Sequence, residues 1–396
     1  MIGPGATARR GLLGRIRPSY LILLTALPFV VYLFASSERY QAALEFLLPG
    51  IGTTALVTVV AYLAASALGL VLAGLQLLRQ GERTVRNFLV GSAVLLAGAA
   101  ALFALPKEQF ALIGTAEGRV AIVQGTPTSA SEPVKLGRYP GAPGPQAVRA
   151  VTDVAAALER LASGQVSSAL IPVAAVPAGA DVLWTTSFLA PGLKRPAMFL
   201  LVLGALGLAL TFAGWQSGAH PLRLVSELYV DVLRGIPMLV VILYVGFPLQ
   251  GAIRDATGGL IDMSRVTRGI VGISLGYAAY MAEIYRAGIE EIGKGQSEAA
   301  RSLGLSTWQT ARFVVLPQAL RIVVPPLGNE FIAMLKDTSL LSVLSVRDIT
   351  QRAREFQAAN FEVFPPFNTV AILYIVLTLM ASSLAKSVER RTSWTR

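Results

Sequence analysis

Cysteine is absent from the 396-residue chain, and histidine occurs once, at His220. The first absence excludes disulfides, thiol chemistry and cysteine-held metals. The second leaves no companion ligand at metal-binding spacing, so no metal is expected. Charge is sparse as well: Asp, Glu, Lys and Arg make up 14% of the residues, against 54% hydrophobic. A soluble domain rarely runs so apolar, and here the apolar residues come in blocks. A bilayer crossing takes roughly 20 predominantly apolar residues. Phe46–Leu78, Asn87–Pro106, Pro196–Leu222 and Val363–Ala385 contain no charged side chain, and Ser19–Ser37 and Ile236–Ile253 are charge-free and near spanning length. In lipid only helices or closed barrels satisfy their backbone groups, and these runs predict a polytopic membrane protein of the helical, all-α kind.

The formal charge of +11 raises nucleic acid as a partner, but the basic residues gather at the ends of the apolar runs. That placement is the positive-inside pattern of a membrane protein, and no nucleic-acid partner is expected. Arg9, Arg10, Arg15 and Arg17 put the N-terminus in the cytoplasm. No small-residue cleavage site follows Ser19–Ser37, so it reads as a retained helix rather than a signal peptide. Phe46–Leu78 returns to Arg79, Arg83 and Arg86; Asn87–Pro106 leaves again, with Lys107 to Arg195 on the far side. Pro196–Leu222 re-enters ahead of Arg223 and Arg234, and Ile236–Ile253 leaves, its start at Arg234 and Pro237 reading as an inner anchor plus a helix beginning. Val266–Ala287 comes back, Arg312–Leu335 leaves, and Val363–Ala385 returns before Lys386, Arg390 and Arg391. That is about eight spans with both ends inside. Glycines such as Gly204 and Gly207 permit close helix packing.

The segment 107–195 differs from its flanks. It carries turns such as GAPGP and VPAGA, a short strand at Arg119–Val123, a helix at Thr152–Ala162 capped by Thr152 and stopped by Gly164, and a second strand at Val166–Ile171. The order is β–α–β, so a small α/β extracytoplasmic insert is expected between two membrane helices.

The inner loop GIEEIGKGQSEAARSLG, Gly288 to Gly304, begins like a phosphate-binding loop, G-x-x-x-x-G-K. That loop needs Ser or Thr after its Lys and a strand before its first Gly. Here Gly295 follows Lys294, and Ile270–Ala287 precedes it as a membrane helix. The second half carries more. Ser297 can cap a short helix, Glu298–Leu303, with Glu298 at its positive end, and Gly304 suits the left-handed position that ends it. Ser306, with Gln309 three residues on, forms a capping box for a second helix. Small Ala299 and Ala300 leave room for another surface; a compact connector with no partner is the alternative.

Glu298-Ala299-Ala300, three residues, Gly304, nine residues, Val314, one residue, Leu316-Pro317 resembles the EAA loop of ABC importer permease subunits. LGYAAYMAEIYRAGIEEIGKGQSEAARSLG, LPQALRIVVPPLGNEFIAMLKDTSLLSVLSVRDIT and LRGIPMLVVILYVGFP are similar to the polar amino-acid uptake branch, and GTTALVT at Gly52–Thr58 resembles the start of its first core helix. The likeness covers Gly50–Arg79 and Leu222–Ala385. It implies a five-helix core whose loop docks on a separate ATPase subunit, with Glu298, Ala299, Ala300, Arg301 and Gly304 as the coupling residues. On that reading, 1–45 is a basic tail with an extra first helix, 46–86 the first core helix, 87–106 and 196–222 two extra helices around the insert 107–195, and 223–396 the rest of the core with the coupling loop 288–311.

Within the insert, GRVAIVQGTPTSA followed by DVAAALERLASGQVSSALIP resembles one lobe of an amino-acid-binding protein, with Thr126 and Thr128 at its ligand turn. No carboxylate lies between Glu159 and Asp181 to take a ligand ammonium, so a docking or structural domain stands beside the ligand-binding reading.

Charges within bilayer spans are functional-site candidates by default. Glu283, Arg321, Glu330, Lys336 and Asp337 qualify, with Asn329 beside them. A zwitterionic substrate needs a cation for its carboxylate and an anion for its ammonium, which makes these residues substrate-path candidates. The alternatives are a Glu283–Arg286 pair at the interface and, for Arg321 and Glu330, pairing between subunits.

The expected function is therefore the permease subunit of a polar amino-acid ABC importer in a bacterial cytoplasmic membrane, multi-pass and bathed in lipid. Its partners are the ATPase, a second permease copy or paralogue, and an extracytoplasmic amino-acid-binding protein. No catalytic residue and no cofactor are expected in this chain, since ATP is used by the partner. An ion-coupled secondary amino-acid transporter, or a membrane sensor whose insert reads a ligand, are the competing readings.

Overall fold

The computed structural model describes residues 36–105 and 107–392, with residues 28, 31, 32 and 34. Most of the expected span Ser19–Ser37 and the basic tail before it lie outside the described residues. The chain divides into two compact units, Met1–Leu78 with Leu222–Arg396, and Arg79–Pro221.

The first unit is helical. Its opening helix, α1 (Glu38–Gln76), runs 39 residues, about 58 Å at 1.5 Å per residue, nearly twice a bilayer core. It begins eight residues before the charge-free run at Phe46, because the polar turn from Glu38 to Glu45 continues the same helix through Pro49.

The other helices of this unit, and two of the second, are taken in chain order. α2 (Glu82–Ala104) and α5 (Pro191–Ser217) belong to the second unit; α5 ends at Gly218, in the left-handed region at φ 67°. α6 (Pro221–Gly235) is a 15-residue helix with Val230 buried and Leu228 exposed. α7 (Met238–Tyr244) and α8 (Gln250–Ala256) form one rod through a π-turn, Val245–Leu249. Pro248 lies in that turn and has no N–H to donate, so the regular ladder skips there. Pro237 sits one residue before the first turn of α7 rather than in it. α9 (Arg265–Glu290) is capped by Ser264, whose hydroxyl accepts from Thr267 N at 3.1 Å. After it come α10 (Lys294–Ser302), α11 (Thr307–Thr310), a second π-turn at Ala311–Val315, and α12 (Leu316–Asp337). A 3-10 turn (Thr338–Leu344), α13 (Ile349–Asn360) and α14 (Phe364–Thr392) complete the unit.

Among the described residues five helical stretches are long and apolar enough to cross a bilayer: α1, Arg83–Ala104 of α2, Gly192–Ser217 of α5, α7 with α8, and α14. α9 and α12 have the length, 26 and 22 residues, with more polar composition. The charges on α12 are the reason its span reads weakly from hydropathy.

α1 and α9 approach closely enough that a Cβ at Gly69 would lie 2.8 Å from the Met281 Cβ and 3.0 Å from the Ala278 carbonyl. The shared core is Val57, Ala61 and Ala65 of α1, Ile273, Tyr277 and Met281 of α9, Ile242 of α7 and Met334 of α12. Small residues let these backbones meet, which is how membrane helices gain dispersion contact without a hydrophobic drive between them.

The second unit pairs α2 with α5 and carries a five-stranded sheet. β1 (Glu108–Gly114), β2 (Arg119–Val123), β3 (Ala147–Val151), β4 (Ser168–Pro172) and β5 (Val182–Phe188) lie in the order β3-β2-β4-β1-β5. β2 is parallel to β3 and β4, while β1 is antiparallel to β4 and β5, with Phe110 opposite Pro172 and Gly114 opposite Ser168. α3 (Thr128–Lys135) and α4 (Val154–Ala162) make the crossovers. The expected strand, helix and strand are present as β2, α4 and β4, but α3 and β3 come between the first two, and the ends of α4 and β4 are shifted. The cap of α4 is Asp153, not Thr152: its carboxylate accepts from Ala156 N at 2.7 Å. The strand expected at Val166–Ile171 begins two residues later, at Ser168. Apolar clusters lie on both faces of the sheet, one around Ala121, Ala157 and Ile171, the other around Val120, Val134 and Leu170.

Candidate functional site

The inner hairpin is built from local chemistry. α10 starts at Lys294 after an extended Gly293, and the Gln296 N–H donates to Gly293 O at 3.0 Å. Ser297 is therefore inside the helix and is not its cap. Its carbonyl accepts from Arg301 Nε at 3.2 Å, and the helix gains a turn over the expected Glu298–Leu303. The other end is as expected: Gly304 has φ 85°, its N–H donates to Arg301 O at 2.9 Å, and Leu305 N donates to Ala300 O at 3.2 Å. Those two bonds form a Schellman closure, which a residue with a Cβ would strain. Ser306 then accepts from Gln309 N at 3.3 Å, while Gln309 Oε1 accepts from Ser306 N at 2.8 Å. The capping box fixes the turn.

Of the five coupling candidates, Glu298, Ala299, Arg301 and Gly304 are exposed, while Ala300 is buried at 4%. Ala300 thus packs inward and the other four face outward. Leu303, next to Gly304, is 84% exposed.

The substrate-path candidates separate into two places. Glu283 lies on the face of α9 that meets α6, where it pairs with Arg234. Arg286 pairs instead with Glu290, at 2.7 Å one turn on, so the expected Glu283–Arg286 pair is not formed. Arg234 also lies over the Tyr280 ring, 5.6 Å from its centroid. Gln76, Glu227 and Asp231 join these residues around a polar cavity of about 260 Å³. Arg234 was thus legible as an inner anchor, but its ion pair crosses between helices and no local spacing announces it.

The second place is on α12. Glu330 and Asp337, seven residues apart, share one face, since 100° per residue nearly completes two turns. Tyr277 of α9 donates its hydroxyl to Asp337 Oδ2 at 2.8 Å, and Tyr62 of α1 donates to Leu327 O at 3.2 Å. Glu330 is half-buried beside these tyrosines, whereas Asn329 and Lys336 are exposed on a neighbouring face. Arg321, nine residues before Glu330, is half a turn away and exposed. The structure brings Glu330, Asp337, Tyr62 and Tyr277 together, and sequence alone named only the two carboxylates.

A third polar cluster ties α13 to its neighbours. Asp348, 1% exposed, caps α13 by accepting from Gln351 N at 2.7 Å, and its other oxygen faces the Tyr374 hydroxyl of α14 at 3.4 Å. Burial pushes this carboxyl up to about 6, against the opposing backbone N–H bonds. A Cβ at Gly50 of α1 would come within 2.8 Å of Ile349 N.

In the sheet domain, Thr126 follows Gly125 (φ 85°) with its N–H on Val123 O at 3.1 Å, and exposed Thr128 opens α3. The two threonines lie two residues apart just after the carboxyl end of β2, Thr126 closing the turn and Thr128 beginning the helix. Among the described residues no cluster of three or more His, Asp or Glu is placed to hold a metal ion.

Residues 196–394 match the family model described as binding-protein-dependent transport system inner membrane component. The chain belongs to that family. It is therefore a multi-pass membrane protein of a transport family. The chain is 39% identical over 192 residues to the glutamine transport system permease protein GlnP of Escherichia coli (strain K12), covering 48% of this chain and 83% of the relative. It is 38% identical over 172 residues to the probable amino-acid ABC transporter permease protein YckA of Bacillus subtilis (strain 168), covering 43% of this chain and 72% of the relative. A crystal structure of an amino acid ABC transporter with histidines aligns at 38% identity and TM-score 0.39, over 43% of this chain and 77% of that one. The curated relatives are amino-acid permeases, which is what the loop and its flanking runs led one to expect.

Proposed function

We propose that this family member is the transmembrane permease subunit of an ABC importer for polar amino acids in a bacterial cytoplasmic membrane. The observation that carries the reading is the α10–Gly304–α11 hairpin: a capped, exposed short helix set directly between α9 and α12. A helix that short is marginal alone and gains most of its stability by packing. Its outward Glu298, Arg301 and Gly304 offer a docking surface to an ATPase subunit, and Ala299 lets that surface approach. ATP is bound and hydrolysed there, so this chain carries no catalytic residue of its own. Closure of the ATPase moves α10, and the displacement reaches α9 and α12 at its two ends.

The path for substrate runs along α12. Glu330 and Asp337 supply anionic groups for an ammonium, and Arg321, Asn329 and Lys336 supply the complementary groups for a carboxylate on the exposed faces. A second copy of this chain, or a paralogue, completes the pore, and an external amino-acid-binding protein delivers the ligand. Glu283, paired with Arg234, holds α6 against α9. The insert serves as a docking or structural element, with Thr126 and Thr128 as the positions to probe for ligand.

Affinity purification of the tagged chain with its ATPase tests the coupling role. Glu298→Lys is expected to release the ATPase while the chain remains folded and membrane-inserted. Retained association and transport in that variant would defeat the role given to α10.

A further inference from the structure

An apolar hollow of about 450 Å³ opens beside the inner hairpin. Its walls come from the ends of three long helices and the hairpin between two of them: Leu77 at the C-cap of α1, Ile289 in the last turn of α9, Trp308 in α11, and Val315 and Leu316 where the π-turn enters α12. No carboxylate lines it, and the one charged residue at its rim is Arg312. Among the described residues Arg312 makes no salt bridge; its guanidinium lies over the Phe313 ring, 5.7 Å from the centroid. Trp308 is 71% exposed and Leu316 47%.

Apolar walls of this kind gain roughly 25 cal/mol for each Å² taken from water, so an occupant must be apolar over most of its length. An exposed arginine at the mouth, in no salt bridge among the described residues, asks for an anion at one end of that occupant. Arginine and tryptophan at the end of a membrane helix are the residues that sit at headgroup level. The walls are helix ends rather than the polar outward face of α10, which places the hollow at the membrane surface. We propose that it binds one acyl chain of an anionic phospholipid, with the phosphate on Arg312. The proposal goes beyond the transport reading and depends on it only for naming the inner leaflet. A lipid seated there braces the junction of α9 and α12.

The test uses the full chain with its ATPase in nanodiscs of phosphatidylglycerol mixed with phosphatidylcholine. Native mass spectrometry after detergent extraction reads which lipid stays bound. Phosphatidylglycerol is expected to be retained over phosphatidylcholine. Arg312→Gln should lower that retention about fivefold, the effect of one basic residue near an anionic surface, and Ala311→Phe, which fills the hollow from its wall, should lower it for both lipids. Brominated phosphatidylglycerol should quench the emission that Trp308→Phe removes. Equal retention of the two lipids, unchanged retention in both variants, or shielding of Trp308 by the ATPase in lipid-free detergent would each overturn the proposal. Loss of ATPase binding in Glu298→Lys with lipid retention intact separates this site from the coupling role.

Discussion

The long helices of the first unit are tied across by side-chain hydroxyls. Ser226 of α6 donates to Leu72 O of α1 at 2.9 Å, Tyr229 of α6 to Leu275 O of α9 at 2.7 Å, and Tyr277 of α9 to Asp337 of α12 at 2.8 Å. Ser66 of α1 and Tyr285 of α9 share a bond of 2.5 Å. The helix pair of the second unit is built otherwise. Ser92 of α2 and Thr211 of α5 turn back onto their own helices, donating to Phe88 O at 2.8 Å and Gly207 O at 2.7 Å. The two helices meet instead through shape: a Cβ at Gly204 would fall 2.7 Å from Leu96 Cγ. Interhelical hydrogen bonds in membranes average only about 0.6 kcal/mol, so the contrast concerns register more than strength. Directed bonds allow a few arrangements of helices and forbid the rest. Such restriction is what a set of helices needs if a push on α10 is to reach α12.

The largest effect expected is functional. Glu330→Gln removes a half-buried carboxyl group from the face shared with Asp337, and amino-acid uptake in proteoliposomes should be abolished while ATPase association persists. Wild-type uptake in that variant would remove α12 from the path. Next in size are two glycine substitutions. Gly69→Leu drives a side chain into the Ala278 carbonyl and Met281 Cβ, atoms that cannot swing aside, and overpacking of this kind costs about 1–3 kcal/mol. Thermal unfolding of the detergent-purified chain should show it as a clear drop in Tm. Gly204→Leu meets mostly the side chain of Leu96, so its drop should be smaller, with uptake retained. Equal losses in both would mean that the second unit is as tightly specified as the first.

The smallest effect concerns pH. Because burial raises Asp348 from 3.8 to about 6, the folded chain holds a proton that the unfolded chain releases. The stability this contributes is full below pH 3.8 and lost as pH rises through about 6. Asp348→Asn keeps an oxygen to accept from Gln351 N and cannot ionise. Its Tm relative to wild type should therefore rise by a few degrees between pH 4 and pH 7. A difference that stays flat over that window would show that Asp348 does not titrate there.

Local chemistry made much of this legible beforehand. Gly304, Ser306 and Gln309 act on residues within a turn of themselves, so their roles could be read from spacing, and charge-free runs found the apolar helices among the described residues. The start of α10 was missed because a serine at a plausible cap position competes poorly with a further turn of helix. Thr152 lost to Asp153 for a similar reason, since both neighbours can cap and only backbone geometry chooses. Arg234 with Glu283, and Tyr277 with Asp337, were hidden because each pair joins two helices far apart in sequence. Edge strands β3 and β5 gave little signal, being short or flanked by turns and an exposed pattern.

ATP hydrolysis by the complex in liposomes, followed with and without a panel of polar amino acids and their binding protein, bears most directly on the role of α10. Wild type should hydrolyse faster when the right amino acid is present and accumulate it, and Glu298→Lys should lose both. Amino-acid uptake by this chain without any ATPase, or stimulation undiminished in Glu298→Lys, would contradict it.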